Sequence, residues 1–208
     1  MSGPRIAIVD YGMGNLRSVE KGFGAAGVAG VGVTDDPADV GRASGIVLPG
    51  VGAFRDAAAN LRSSGMWDAV VAGAGSGTPL LGICLGMQLL ATTGLEDGEW
   101  EGLGLVPGVC TRLTGSVKIP HIGWNTVETP RPSRLFEGVG SGGAFYFVHS
   151  YQLVPDDPDA VIGVTEYGTR FCSAVAAGSV FGVQFHPEKS SAAGLALLGA
   201  FGRIVGER

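Results

Sequence analysis

Cys84 stands between Gly82 and Gly86 in the stretch TPLLGICLGMQLL (residues 78–90), and His186 is followed two residues later by Glu188 in Phe185-His186-Pro187-Glu188. A thiol, an imidazole and a carboxylate are the parts of a nucleophilic triad. The imidazole takes the thiol proton while the carboxylate accepts the other ring N–H and fixes the tautomer. Leu80, Leu81 and Ile83 form an apolar run suited to a strand buried on both faces. From Leu85 the apolar positions Leu85, Met87, Leu89 and Leu90 fit a helix packed on a sheet. A strand turning sharply into a helix strains the residue at the turn, and glycine two places either side removes side chains that would clash. The sulfur then sits at a helix N-terminus, where unpaired N–H groups favour thiolate over thiol. Pro187 biases His186 toward an extended backbone, in which residues two apart point the same way, so Glu188 comes beside the ring.

Each half has a plainer reading. Cys84 could be a buried core thiol, and His-Pro-Glu a solvated strand end. Together they favour the triad, provided that both strands end at one edge of the sheet. The C-terminal edge is where parallel α/β folds place their sites. The chain order, nucleophile and then His with an acid two residues on, differs from the nucleophile, acid, His order of α/β-hydrolases. A cysteine variant of that fold is therefore the weaker enzyme reading.

The elements around these residues alternate. Arg5 to Asp10 reads as a strand, followed by the loop Tyr11-Gly12-Met13-Gly14-Asn15 and a helix from about Leu16 to Ala26. Val28 to Val33 is a second strand, Asp35-Asp36-Pro37 opens a short helical turn, and Ser44 to Leu48 is a third strand running into Pro49-Gly50-Val51-Gly52. Helices over Ala53 to Ser63 and Met66 to Ala74 lead to the strand before Cys84. This alternation predicts an α/β fold with a mostly parallel central sheet flanked by helices. After about Leu103 the texture changes. Val106 to Leu113, Gly123 to Glu128, Ala144 to Phe147, Tyr151 to Val154, Val161 to Glu166, Phe171 to Ala176 and Val180 to Phe185 read as strands, predicting an added antiparallel or mixed region in the C-terminal half. Ser190 to Val205 closes the chain as a helix with Leu195, Leu198, Phe201, Ile204 and Val205 inward, capped by Ser190 or Ser191. With no linker, repeat or low-complexity tract, residues 1–208 read as one domain.

Composition narrows the function classes. The 208 residues are 45% hydrophobic and 16% charged, as expected of a soluble globular chain. A net charge of -5 without any Lys/Arg cluster argues against a nucleic-acid surface. The N-terminus enters a strand without the regions of a signal peptide, and the most apolar stretch is too short and interrupted to span a bilayer. Three widely spaced cysteines, Cys84, Cys110 and Cys172, without C-x-x-C, favour a reducing cytoplasm over a disulfide framework or zinc site. Gly22 to Gly27 matches G-x-G-x-x-G, but within the first helix rather than at a strand-to-helix junction. The actual junction, Gly12-Met13-Gly14-Asn15-Leu16-Arg17, lacks the third glycine, so a dinucleotide site is not expected.

The chain resembles the class I glutamine amidotransferases, whose glutaminase domains use a Cys, His and Glu triad. The resemblance is carried by Asp10 to Leu16, Leu48-Pro49-Gly50-Val51-Gly52-Ala53-Phe54, Gly82 to Gln88, His121-Ile122-Gly123-Trp124-Asn125, Phe147-Val148-His149-Ser150-Tyr151 and Gln184-Phe185-His186-Pro187-Glu188-Lys189-Ser190, spread over nearly the whole chain. The elbow and His-Pro-Glu motifs are shared across the class. The others resemble a branch of glutaminase subunits that pass ammonia to a (β/α)8-barrel cyclase in histidine biosynthesis.

The resemblance implies a flavodoxin-like fold, hydrolysis of glutamine to glutamate and ammonia, a heterodimer with the cyclase, and no metal or organic cofactor. In the cyclase, ammonia helps convert a ribotide into imidazole glycerol phosphate and aminoimidazole carboxamide ribotide. Cys84 would attack the side-chain amide, His186 would protonate departing ammonia and then activate water, and Glu188 would hold His186. Backbone N–H groups of Leu85 and Val51 are candidates for the oxyanion site. The β-branched Val51 resists positive φ, so a resting loop that leaves this site incomplete is expected. Gly52, Gln88, Ser150 and Tyr151 resemble glutamine-pocket positions, and Asn15, His121, Trp124, Asn125 and Lys189 a partner-facing surface. Two rival readings are a stand-alone thiol amidohydrolase of the same fold and a catalytically silent binding module.

Overall fold

The computed structural model describes residues 5–139 and 142–207. The first half runs β1 (Ile6–Val9), α1 (Leu16–Ala25), β2 (Val31–Thr34), α2 (Pro37–Arg42), β3 (Gly45–Gly50), α3 (Phe54–Ser63), α4 (Met66–Gly75), β4 (Leu80–Cys84) and α5 (Leu85–Leu89). The second continues with β5 (Thr93–Gly94), β6 (Trp100–Glu101), β7 (Gly108–Arg112), β8 (His121–Thr126), β9 (Ala144–His149), β10 (Tyr151–Pro155), β11 (Val161–Tyr167), β12 (Thr169–Ala177), β13 (Val180–Val183) and α6 (Ser191–Gly206).

Seven strands form the central sheet in the order β11-β12-β13-β4-β3-β1-β2. The strands β1 to β4 and β13 are parallel, and β12 and β11 add to one side antiparallel. Every residue of β1 and β4 is buried, as a strand covered on both faces requires. One core layer packs Leu61, Met66, Val70 and Leu89 beneath α3, α4 and α5; the other packs Phe23, Leu197, Leu198 and Phe201 beneath α1 and α6. Fully buried side chains of this size stabilise the fold by about 1.5–3 kcal/mol each. Polar residues set the helix starts: Asn15 accepts from Ser18 N–H at 3.4 Å, and Asp36 accepts from Ala38 N–H at 2.8 Å with Pro37 at the first helical position.

The sequence expectations hold for the alternating half and for α6, with strand ends displaced by a few residues. The added strands do more than extend the sheet. Only β11, β12 and β13 join it; β7 and β10 pair with β5 and β6 in a separate four-stranded sheet, and β8 and β9 form a two-stranded ribbon. The two-residue strands β5 and β6 are too short to show a periodicity. On α6, Leu195 is half-buried and Leu197 takes the inward place, because the buried stripe runs through 194, 197, 198, 201 and 205. Ser190 occupies the N-cap position without capping by its side chain; its hydroxyl donates to the His186 carbonyl at 2.5 Å and accepts from Tyr146 N–H at 3.0 Å. Among the described residues, no helix is long and apolar enough to cross a membrane.

Candidate active site

The elbow is as tight as its glycines imply. Cys84 has φ 55° and ψ −111°, one of three non-glycine residues with positive φ among those described. A Cβ on Gly82 would lie 2.7 Å from the Gly86 carbonyl oxygen, and one on Gly86 only 1.8 Å from the Leu48 carbonyl oxygen. Neither position tolerates a side chain without moving backbone, so both glycines are required for β4 to turn into α5 beside β3.

Parallel register brings the distant residues together. Gly50 at the end of β3 lies opposite Cys84, and Val183 of β13 pairs with Ile83, so β13 delivers His186 to the same C-terminal edge. His186 is extended, at φ −101° and ψ 95°. The chain then tightens into a 3-10 turn over Pro187–Lys189 rather than continuing extended, and the turn brings Glu188 back beside the imidazole. His186 Nδ1–H donates to Glu188 Oε1 at 2.8 Å, both side chains being buried. This bond leaves Nε2 buried without a hydrogen-bond partner, and the Cys84 sulfur is near enough to act on the ring. Burial opposes a charge on the ring, but the Cys84 sulfur and the Glu188 carboxylate outweigh it and raise the His186 pKa to about 9.

Cys84 and His186 share the wall of a cavity of about 320 Å³, roomy enough for an amino acid. Val51, Gly52, Gln88, Ser150, Tyr151 and Lys189 line it as well. Gln88 is buried, its Nε2 donating to the Tyr151 carbonyl and to Gln184 Oε1, each at 3.1 Å. The chain leaves β3 through Val51, which is 44% exposed, into Gly52 with φ 108°.

Three polar residues of this region escape the sequence reading of the site. Glu96 lines the cavity while accepting the α3 N-terminal amide of Phe54 at 2.6 Å. His149 also lines it; Nδ1–H donates to the Tyr151 carbonyl at 2.8 Å, and burial holds its pKa down to about 4. Gln184 is fully buried and places Nε2 3.7 Å from the Cys84 sulfur. Glu96 sits in an irregular segment with no local pattern, whereas His149 and Gln184 stand in stretches that carry the family resemblance but drew no role of their own.

The expected partner-facing residues divide. Trp124 is 55% exposed, and Asn15 and Lys189 are exposed. His121 is not at the surface. It is buried between Phe147 and Tyr167, its ring stacked at 4.8 and 3.9 Å, and Nδ1–H donates to His149 Nε2 at 3.2 Å. Asn125 is half-buried and donates to the Glu166 carbonyl at 2.9 Å. The ribbon inverts the usual alternation, because β8 turns His121 inward and leaves Ile122 and Trp124 in solvent.

The family model for class I glutamine amidotransferases matches residues 7–201. This chain belongs to the class I glutamine amidotransferase family. Two relatives of the amidotransferase are each named imidazole glycerol phosphate synthase subunit HisH. That of Moorella thermoacetica is 54% identical over 96% of this chain and 95% of its own length, and that of Syntrophotalea carbinolica is 48% identical over 95% and 98%. Among solved structures, a glutamine amidotransferase superposes with a TM-score of 0.77 at 19% identity over 97% of this chain and 99% of that one. PurLQS from Thermotoga maritima superposes with 0.73 at 20% identity, over 96% and 97%. These structures share the amidotransferase fold.

Proposed function

We propose that the chain is the glutaminase subunit of an imidazole glycerol phosphate synthase, acting with a (β/α)8-barrel cyclase in the cytoplasm. The observation that carries this reading is the buried His186–Glu188 pair meeting Cys84 at one cavity that can admit an amino acid, in a chain 54% identical to a subunit so named.

The Cys84 thiolate attacks the side-chain carbonyl carbon of L-glutamine. The C=O electron pair moves to oxygen, where the N–H groups of Leu85 and Val51 receive the oxyanion. As the intermediate collapses, the C–N bond breaks and His186 Nε2–H gives its proton to the nitrogen, which leaves as ammonia. His186 then takes a proton from water, the hydroxide attacks the thioester, and thiolate and glutamate are released. Glu188 holds the ring in place throughout and stabilises its charge whenever Nε2 carries a proton. The glutamine ammonium suits Glu96, a carboxylate on the cavity wall, while Gly52, Gln88, Ser150 and Tyr151 bound the rest of the pocket.

Val51 is absent from the described residues with positive φ. Rotating the Gly50–Val51 peptide to turn its N–H inward takes Val51 toward left-handed backbone, at a cost of roughly 1–2 kcal/mol. The proposal is that partner binding, with the cyclase's ribotide ligand in place, offsets that cost, so ammonia is released only when an acceptor waits. Trp124, Lys189, Asn15 and Asn125 would face the cyclase, together with the apolar side chains of Ile122 and Val148 that the chain leaves exposed. His121 would support that surface from beneath. The test is co-purification with a barrel cyclase and glutaminase assay before and after its ribotide ligand. A ligand-dependent rise supports the reading; fast hydrolysis by the isolated chain would indicate a stand-alone amidohydrolase, and none under any condition a silent binding module.

A further inference from the structure

Gln184 follows the last residue of β13 and is completely buried. A buried amide is costly unless its polar atoms find partners, and those of Gln184 form a directed chain. Its Oε1 accepts from Gln88 Nε2 at 3.1 Å, and its Nε2 reaches the Cys84 sulfur at 3.7 Å. Gln88 Nε2 also donates to the Tyr151 carbonyl.

A main-chain carbonyl only accepts, so the end of Gln88 facing Tyr151 has to be its NH2 group. The second proton of that NH2 points at Gln184, whose facing atom has to be oxygen. The Gln184 NH2 is then left for the sulfur. The anchor is fixed as well, because the Tyr151 carbonyl takes a second hydrogen bond from His149 at 2.8 Å. The Val148 carbonyl lies 3.9 Å from the same sulfur; it can accept from a thiol but offers nothing to a thiolate.

We infer that Gln184 is a positioning residue for the nucleophile, a non-titrating donor that aims the Cys84 sulfur and stabilises it as thiolate. This rests on Cys84 being the nucleophile. His186 gives up its proton when ammonia leaves, so its ring stops serving as a charged donor partway through the cycle. Gln184 keeps its proton in every state, and it faces the sulfur again when water expels the thiolate from the thioester. The chain also ties the nucleophile to Gln88 on the cavity wall.

The test is the pH dependence of Cys84 alkylation by iodoacetamide in the full chain, with Cys84→Ala to identify labelling of Cys110 and Cys172. Gln184→Glu keeps an acceptor for Gln88 but sets a carboxylate against the sulfur, and Gln184→Asn withdraws the donor by one methylene. The titratable groups coupled to the sulfur are His186, with Glu188 behind it, Tyr11 and Cys110, all retained in both variants. The alkylation midpoint is expected to rise by about one pH unit in Gln184→Glu, roughly a tenfold loss of reactivity on the acid side of the midpoint, with a smaller rise in Gln184→Asn. With the cyclase present, kcat for glutamine falls more than KM rises. Folded variants with unchanged midpoints would overturn the assignment.

A measurement without substitution covers variants that do not fold. The side-chain amide protons of Gln184, followed by NMR in the unaltered chain, are expected to titrate with the Cys84 midpoint, and a flat response would overturn the proposal. Glutaminase activity that survives Cys84→Ala would reject the nucleophile itself, an outcome separate from either Gln184 result.

Discussion

Cys84→Ala removes the sulfur beside His186 and leaves Glu188 in place, so it separates the two groups that keep the imidazole protonated. Burial alone would push His186 below 6.5, yet the sulfur and the carboxylate together bring it to about 9. That rise corresponds to about 3 kcal/mol in favour of the charged ring. With the sulfur gone, Glu188 at 2.8 Å must offset burial by itself, and the His186 midpoint is expected to fall by about one to two pH units. Because the folded pKa is the raised one, the pair's contribution to stability is complete below about pH 6.5 and disappears as pH rises through about 9. The wild-type advantage over Cys84→Ala from this source is therefore present at pH 6 and absent above pH 9. Histidine-selective NMR reads the midpoints, and urea unfolding at several pH values reads the stability. Only three histidines are present, and burial moves the other two the opposite way, His149 to about 4, so their titrations stay apart. A wild-type His186 midpoint at or below 6.5, or the same midpoint in Cys84→Ala, would refute the coupling.

Val51→Gly removes the backbone cost of turning the peptide inward, and glutaminase activity without the partner's ligand is expected to rise about five- to thirtyfold for the roughly 1–2 kcal/mol involved; an unchanged basal rate counts against the gating idea. Gly86→Ala drives a Cβ into the Leu48 carbonyl and is expected to lower stability by more than about 3 kcal/mol, read as a drop in melting temperature, whereas a near-wild-type melt would contradict the packing of the elbow. Glu96→Gln keeps the size and removes the charge, so KM for glutamine is expected to rise at least about tenfold with a smaller change in kcat; an unchanged KM would remove Glu96 from the ammonium site.

The parallel core and the convergence of Cys84, His186 and Glu188 on one edge of the sheet were legible in the sequence because the turns that deliver them are local. Gly82 and Gly86 are dictated by how closely β4, α5 and β3 approach, and that constraint is written within five residues of Cys84. The His186–Glu188 contact was anticipated for a partly different reason, since a 3-10 turn rather than extended alternation closes it. Glu96 and Gln184 were not legible as site residues. One depends on an irregular segment docking against the start of α3, and the other on amide polarity passed through Gln88 from a carbonyl in another sheet. His121 misled in an instructive way. Period-two alternation would bury Ile122 and Trp124, but the ribbon turns His121 into an aromatic cluster and leaves those apolar side chains outside. Sequence periodicity cannot say which face of a ribbon meets a partner.

The most direct measurement is the mass of the chain acid-quenched during turnover of glutamine with the cyclase and its ligand present. The chain is predicted to gain one glutamyl group, mapped to Cys84 by peptide digestion and absent from Cys84→Ala. The same experiment with a glutamine analogue that alkylates its target gives an adduct that water does not remove: labelling confined to Cys84 with matching loss of glutaminase activity is expected, and full labelling elsewhere, or activity retained with Cys84 blocked, would contradict the account.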